Sequence, residues 1–199
     1  MDALNTQDVS YTRRLVRLES IWWKRLLDVQ APYRWHVRQL GLGFVLDIGC
    51  GVGRHLGHLG GNGVGIDHNP HSIATARERG LRAYLPEEFV ASEFNQPARF
   101  DSLLLSHVAE HLLPAATEEL LRQYLPLIKA GGRIVLICPQ ECGYRSDPTH
   151  VQFMDFIQLT ALVRRLGLVP VKAYSFPLPR IVGRIFRHNE FVIVAQKPI

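Results

Sequence analysis

The stretch Val45-Leu46-Asp47-Ile48-Gly49-Cys50-Gly51-Val52-Gly53-Arg54-His55 constrains this chain more than any other. It reads as a buried strand with an acid near its end, three glycines at alternate positions, and the start of a helix. A strand that turns at once into a helix, while leaving room for a ligand against its backbone, needs residues without a Cβ where turn and ligand compete for space. Gly49, Gly51 and Gly53 supply them. Their G-x-G-x-G spacing is one residue shorter than the dinucleotide fingerprint G-x-G-x-x-G, whose third glycine serves helix and strand packing around a pyrophosphate. A ligand without phosphates makes no such demand.

A length of 199 residues, 47% of them hydrophobic and 21% charged, suffices for one α/β domain with a proper core and is short for two. The formal charge of +5 is dispersed, mainly between Arg13 and Arg38 and between Arg164 and Arg187. Such an excess reads as solvated basic faces and argues against a nucleic-acid partner. Cys50, Cys138 and Cys142 are an odd number without a C-x-x-C pair, against a disulfide framework or a thiolate zinc site and in keeping with a reducing cytoplasm. No apolar run approaches the roughly 20 residues that span a bilayer, and Met1 to Gln7 has no signal-peptide core.

Hydrophobic periodicity predicts a basic amphipathic helix over Tyr11 to Leu27 and a short second helix from Pro32 to Gly41. All three tryptophans, Trp22, Trp23 and Trp35, fall in this N-terminal cover, where they pack the helices or form a lid over a ligand. Beyond the glycine loop the chain alternates. Strands are expected at Val64 to Asp67, Arg82 to Tyr84, Asp101 to Ser106, Ile134 to Cys138, Val169 to Tyr174 and Phe191 to Ala195, with helices at His71 to Arg79, Ala115 to Leu127 and Phe153 to Leu166. Gln140 to Val151 reads as a loop. Seven strands with interleaved helices predict a doubly wound, mostly parallel α/β sheet.

In such sheets a ligand lies beyond the C-terminal strand ends. Asp67, closing the second strand, can accept both hydroxyls of a ribose, because a carboxylate presents two oxygens and no donor. Asp47 either orients the loop or bonds a ligand ammonium through water.

Val45 to Gly53, Gly65-Ile66-Asp67, Phe100-Asp101, Ser106-His107-Val108-Ala109-Glu110-His111-Leu112 and Lys129-Ala130-Gly131-Gly132-Arg133 resemble, in order and spacing, the motifs of class I S-adenosylmethionine-dependent methyltransferases. The resemblance covers roughly Leu40 to Pro139. It implies a Rossmann-like, seven-stranded sheet with the last strand antiparallel. It also implies S-adenosylmethionine as cofactor, with Asp47, Gly49, Cys50, Gly51 and Gly53 along the methionine part and Asp67 on the ribose, flanked by His68 and Asn69. Glu93 and Phe94 then flank the adenine, and Ser106 and His107 place their backbone beside the transferable methyl. Within a single domain over 1–199, residues 1–40 are the helical cover, 41–139 the cofactor core, and 140–199 the acceptor loop with the last strands.

His107-Val108-Ala109-Glu110-His111 also matches H-x-x-E-H, the inverted zinc-protease pattern in which two histidines one turn apart hold a metal and the glutamate activates water. That reading needs a third ligand, such as Glu190, and the methyltransferase resemblance explains the segment without it.

Methyl transfer from a sulfonium is an in-line displacement that asks the protein to align the acceptor and remove its proton. The site after the fourth strand lacks the Asn/Asp-Pro-Pro-aromatic sequence of base-amine methylases, and Cys138-Pro139 reverses the Pro-Cys order of cytosine-carbon methylases. In the loop from Pro139 to Val151, His150 is the candidate base, since an unperturbed pKa of about 6.5 leaves its ring largely neutral. Asp147 orients it or joins Glu110 and Glu141 as candidates for holding Mg²⁺. Tyr144, Arg145 and Thr149 suit a hydroxyl better than an amine, and Asp147 to Val151 resembles sequences in sugar and lipid methyltransferases, in particular those acting on methylmannose polysaccharide precursors. The expected partner is a small-molecule or oligosaccharide acceptor, with O-methylation of a carbohydrate leading. Lipid or quinone precursors, amines and a nicotinamide-dependent oxidoreductase stand behind it, and a homodimer stays open.

Overall fold

The computed structural model describes residues 30–199, so the predicted helix over Tyr11 to Leu27, with Trp22 and Trp23, lies outside the described residues. The remainder falls into two compact units, one ending at Asn95 and one running from Gln96 to Ile199.

The first unit begins with helix α1 (Ala31–Gln39), started by Pro32 in its first turn and carrying the exposed Trp35. Strand β1 (Val45–Ile48) is buried at all four positions, as expected of an inner strand covered on both faces. It pairs in parallel with β2 (Gly63–Ile66), which pairs in parallel with β3 (Ala83–Tyr84). Short helix α2 (Arg54–His58) follows the glycine loop, and α3 (Pro70–Glu78) is capped by Asn69, whose side chain accepts from the backbone N–H groups of His71 and Ser72. Helix α4 (Pro86–Val90) has no counterpart in the hydrophobic pattern. Its first turn holds because Pro86 presets φ and Glu88 accepts the Leu85 N–H at 2.9 Å.

In the second unit β4 (Phe100–Ser106) pairs in parallel with β5 (Ile128–Pro139), which starts earlier than its apolar run because Lys129 to Gly132 form an irregularity in the register. Helix α5 (Pro114–Tyr124) connects them, after a 3-10 turn at Ala109–His111. The predicted loop after β5 contains a helix, α6 (Glu141–Arg145). Helix α7 (Phe156–Arg165) starts three residues later than the periodicity suggests, since Asp155 and Gln158 form a capping box. Strand β6 (Val169–Phe176) and β7 (Glu190–Gln196) complete the set. β7 runs antiparallel to both neighbours, β5 and β6, so the implied reversal of the last strand is present. A connection without a crossover helix can join β6 to β7 because the pair is antiparallel.

The strand orders are β3-β2-β1 and β4-β5-β7-β6, together the expected seven-stranded, mostly parallel, Rossmann-like sheet. Its buried residues include Leu46, Val64, Ile73 and Phe89 in the first unit and Phe100, Leu104, Ile134 and Phe191 in the second. Among the described residues no helix is long and apolar enough to cross a membrane.

Candidate active site

The glycine loop is held from below by β2. The N–H groups of Gly49 and Cys50 both donate to Ile66 O, at 2.8 and 3.1 Å. Gly49, Gly51 and Gly53 all have positive φ, 71°, 53° and 77°, a region that side chains with a Cβ rarely adopt. Three left-handed residues at alternate positions account for the compact spacing. The loop also presses on β2: a Cβ on Gly65 would meet Cys50 Sγ at 2.5 Å. Cys50 is therefore a packing residue, and burial, with Asp47 and Asp67 nearby, pushes its thiol well above the usual range.

Asp67 ties the two loops of this unit together. Its Oδ2 accepts the Gly51 N–H and its Oδ1 the Asn69 N–H, each at 2.8 Å. Each oxygen keeps a further lone pair. The exposed His68 ring stands 3.7 Å from Oδ1, while the buried Asn69 spends its side-chain oxygen on capping α3. Asp47 is 1% exposed, and its Oδ2 has no hydrogen-bond partner among the described residues. Burial, then the charge of Asp67, raises its pKa to about 8 against the pull of Arg54. A buried carboxyl without a donor beside a left-handed glycine loop fits a ligand that brings an ammonium, and Asp67 fits one that brings vicinal hydroxyls. Phe94 is buried against Phe44 and Tyr84, with ring centroids 6.1 and 6.0 Å away, whereas Glu93 is exposed.

A second concentration of chemistry lies in the other unit, at the end of β4. Ser106 is the last residue of the strand, buried and in register with Ile137. His107 follows with φ of 58°, so it does not share a helical turn with His111 as the H-x-x-E-H pattern requires. Its Nδ1 lies 3.1 Å from Glu110 Oε1 and its Nε2 2.9 Å from Glu190 Oε1. Burial opposes charge on this ring, but the two carboxylates prevail and raise its pKa to about 10. The same contact holds Glu110 below the usual carboxylate range although burial works the other way. Glu110 is 0% exposed, and its Oε2 has no partner among the described residues.

Glu110, His111 and His150 come together, with one ligand-type atom from each lying within 4.8 Å of the others. His111 Nδ1 lies 3.1 Å from Thr149 Oγ1 and 3.3 Å from Thr149 O. The Thr149 hydroxyl donates to Asp147 Oδ1 at 2.7 Å, so it accepts from His111, which places the ring proton on Nδ1 and a lone pair on Nε2. Burial lowers the pKa of His111. His150 is held likewise: its Nδ1 lies 2.7 Å from the Tyr144 carbonyl, which can only accept. The ring stacks on Tyr144 at 5.3 Å and meets His111 edge-on at 4.7 Å.

The hydrogen bonds of Asp147 Oδ1 thus go to Thr149, and the group that orients His150 is the Tyr144 carbonyl. Glu141 does not join Glu110; the Arg180 guanidinium takes both its oxygens, one at 2.8 Å, and holds its pKa down. Sequence reasoning also missed the buried pair Gln140 and Asn189. Asn189 Nδ2 donates to Gln140 Oε1 at 3.0 Å and Gln140 Nε2 to Ser175 Oγ at 2.8 Å, fixing the root of α6 to the connection before β7. Polar residues flanking apolar runs were the available signal.

Residues 46–134 match the family model described as a methyltransferase domain. No curated protein sequence matches the chain. Among solved structures it is similar to a SAM-dependent methyltransferase from Archaeoglobus fulgidus, at TM-score 0.67 and 21% identity over 89% of this chain and 98% of that one. A TehB-like SAM-dependent methyltransferase from Corynebacterium glutamicum aligns at TM-score 0.65 and 18% identity over 96% and 100% of the two chains. The Burkholderia thailandensis 1,6-didemethyltoxoflavin-N1-methyltransferase, solved with bound 1,6-didemethyltoxoflavin and S-adenosylhomocysteine, aligns at TM-score 0.60 and 20% identity over 100% and 93%. Residues 46–134 thus match a methyltransferase-domain model, within a chain that has the fold of the SAM-dependent methyltransferases.

Proposed function

We propose that the protein transfers a methyl group from S-adenosylmethionine to a hydroxyl of a small molecule, with a carbohydrate as the leading acceptor class. The observation that carries the cofactor reading is the unpartnered Asp47 Oδ2 beside three left-handed glycines. Asp47 would hold the ligand ammonium, Asp67 the ribose hydroxyls through its remaining lone pairs, and the glycine backbone the methionine part. Bound there, the cofactor supplies an electrophilic methyl on a sulfonium. Phe94 provides an apolar wall for the adenine.

On the acceptor side, His150 Nε2 takes the hydroxyl proton. Its support is the Tyr144 carbonyl, which accepts from Nδ1, fixes the ring and leaves Nε2 as the nitrogen that faces a proton donor. Asp147 acts one step removed, holding Thr149 and through it His111. The likeness of Asp147 to Val151 to sugar methyltransferases favours a carbohydrate hydroxyl over lipid or quinone precursors and amines.

Calorimetry with S-adenosylmethionine and, separately, NAD tests the cofactor. Micromolar binding of the former, weakened at least tenfold in Asp67→Ala, is expected; binding of NAD alone would return the chain to the oxidoreductase reading. Labelled methyl donor offered with mannosides, other glycosides, quinols and amines tests the acceptor, and label appearing only in amines would overturn the hydroxyl assignment.

A further inference from the structure

We propose that Glu110, His111 and His150 form a binding site for one divalent transition-metal ion of the zinc or manganese type. The site rests on those three side chains alone and stands or falls independently of the methyl donor. Two observations point to it. The first is the convergence of two imidazoles and a carboxylate, each offering an atom within 4.8 Å of the others. The second is Glu110 Oε2, which is fully buried with no geometrically satisfied hydrogen bond among the described residues; its carboxylate faces only the weakly donating thiol of Cys138, and Oε1 is engaged by His107. A buried carboxylate oxygen left without a donor is costly unless something positive meets it.

The surroundings are those that imidazole ligands require. A histidine ligates through one nitrogen while the other is held by an acceptor that fixes tautomer and ring plane. Both rings here meet that condition: His150 Nδ1 is held by Tyr144 O at 2.7 Å, and His111 Nδ1 by the hydroxyl and carbonyl of Thr149 at 3.1 and 3.3 Å. Asp147 Oδ1 orients the Thr149 hydroxyl from behind at 2.7 Å. The loop is also tied to the first ligand, since the Val151 N–H donates to Glu110 O at 2.8 Å. Ligands on one tetrahedral ion lie roughly 3.3 Å apart, closer than the 4.8 Å within which these atoms lie, so seating an ion draws them together.

The donor set selects the ion. Mg²⁺, the cation anticipated from the sequence, asks for an octahedral shell of oxygens, and Glu141, one of the acids counted on, is committed to Arg180. Two imidazoles and one carboxylate suit zinc, manganese or iron instead. Three protein ligands leave a coordination position for an oxygen of water or of the acceptor. His150 Nε2 is a ligand when the ion is seated and the proton acceptor proposed above when it is not. The H-x-x-E-H pattern is thereby reassigned: its glutamate and second histidine ligate, and its first histidine is a clamp for the glutamate.

The test is calorimetric titration of untagged, EDTA-stripped full chain with Zn²⁺, Mn²⁺ and Mg²⁺ separately. One Zn²⁺ or Mn²⁺ per chain is expected, with His150→Ala and His111→Ala each weakening binding at least tenfold and Mg²⁺ at least a hundredfold weaker than wild-type Zn²⁺. Glu110→Gln is not the deciding variant because Glu110 also holds His107; should His111→Ala fail to fold, His150→Ala decides. No Zn²⁺ or Mn²⁺ binding by wild type, or binding that survives His150→Ala undiminished, would overturn the site. X-ray absorption of the zinc-loaded protein gives a second reading, two imidazoles in the shell supporting the assignment and none refuting it. S-adenosylmethionine affinity, measured with and without EDTA, is expected to agree within twofold, so failure of either reading shows apart from the other.

Discussion

Glu190 Oε1 meets His107 Nε2 at 2.9 Å across 83 residues of sequence, and with Glu110 on the other ring nitrogen it makes His107 a charged clamp. The folded pKa, about 10, lies above the ordinary histidine value of 6.5, so the stability this ring contributes is present below 6.5 and is lost as pH rises through about 10. Ring ¹⁵N titration is expected to find His107 doubly protonated at pH 8 and His111 neutral well below it. In Glu190→Gln the His107 pKa should fall by at least one unit. A His107 that titrates near 6.5 in the wild type would dismiss the clamp.

Asp47 carries the opposite sort of consequence for an acid. Its folded pKa of about 8 exceeds the ordinary aspartate value of 3.8, so between those values the cofactor-free protein binds a proton that the unfolded chain has released. Stability is full below about 4, declines with rising pH, and levels off above about 8, with a slope of up to ~1.4 kcal/mol per pH unit from this group. Denaturant unfolding of wild type and Asp47→Asn from pH 5 to 8 isolates the effect. The variant should lose less stability across that range and bind S-adenosylmethionine at least tenfold more weakly.

Replacing His150 separates carrying the methyl group from delivering it. His150→Ala should hold S-adenosylmethionine affinity within twofold and lower turnover by about 10²-fold or more, the scale of a lost proton acceptor. Calorimetry and a labelled-methyl assay with the acceptor found by screening measure the two. Undiminished turnover removes His150 from the chemistry.

Gly65 tests the seat of the glycine loop. A Cβ there would lie 2.5 Å from Cys50 Sγ and 2.8 Å from Cys50 Cβ, so the loop or β2 has to shift. Gly65→Ala should cost about 1–3 kcal/mol in chemical unfolding, the range for overpacking a filled site, and weaken cofactor binding. Unaltered stability and affinity would show that the loop accommodates the methyl freely.

The strands were legible where apolar runs are long, as at Leu103 to Leu105 and Ile134 to Ile137, because inner strands must be apolar on both faces. Helices α4 and α6 were not, since five residues are too few to display a helical period. The glycine loop was legible because its left-handed glycines and the Asp67 side chain that accepts the Gly51 N–H stand close together in sequence. The pairing of His107 with Glu190 was not: it follows from the position of β7 beside β5, which no single residue announces. The partner of His150 is a main-chain carbonyl, and a carbonyl is offered by every residue type. Asp147 was therefore the visible residue, while the Tyr144 carbonyl that meets Nδ1 was not.

The insertion of β7 between β5 and β6 sets an order of assembly during translation. β4 and β5 can pair as soon as both have left the ribosome, but β6 emerges before the strand it must lie against. Until Glu190–Gln196 has been made, β5 and β6 each expose an unpaired edge, the surface most prone to wrong pairing in a nascent chain. Glu190, the first residue of that strand, arrives with it. The clamp on His107 thus closes in the same step that completes the sheet, so a chain stalled before residue 190 has neither.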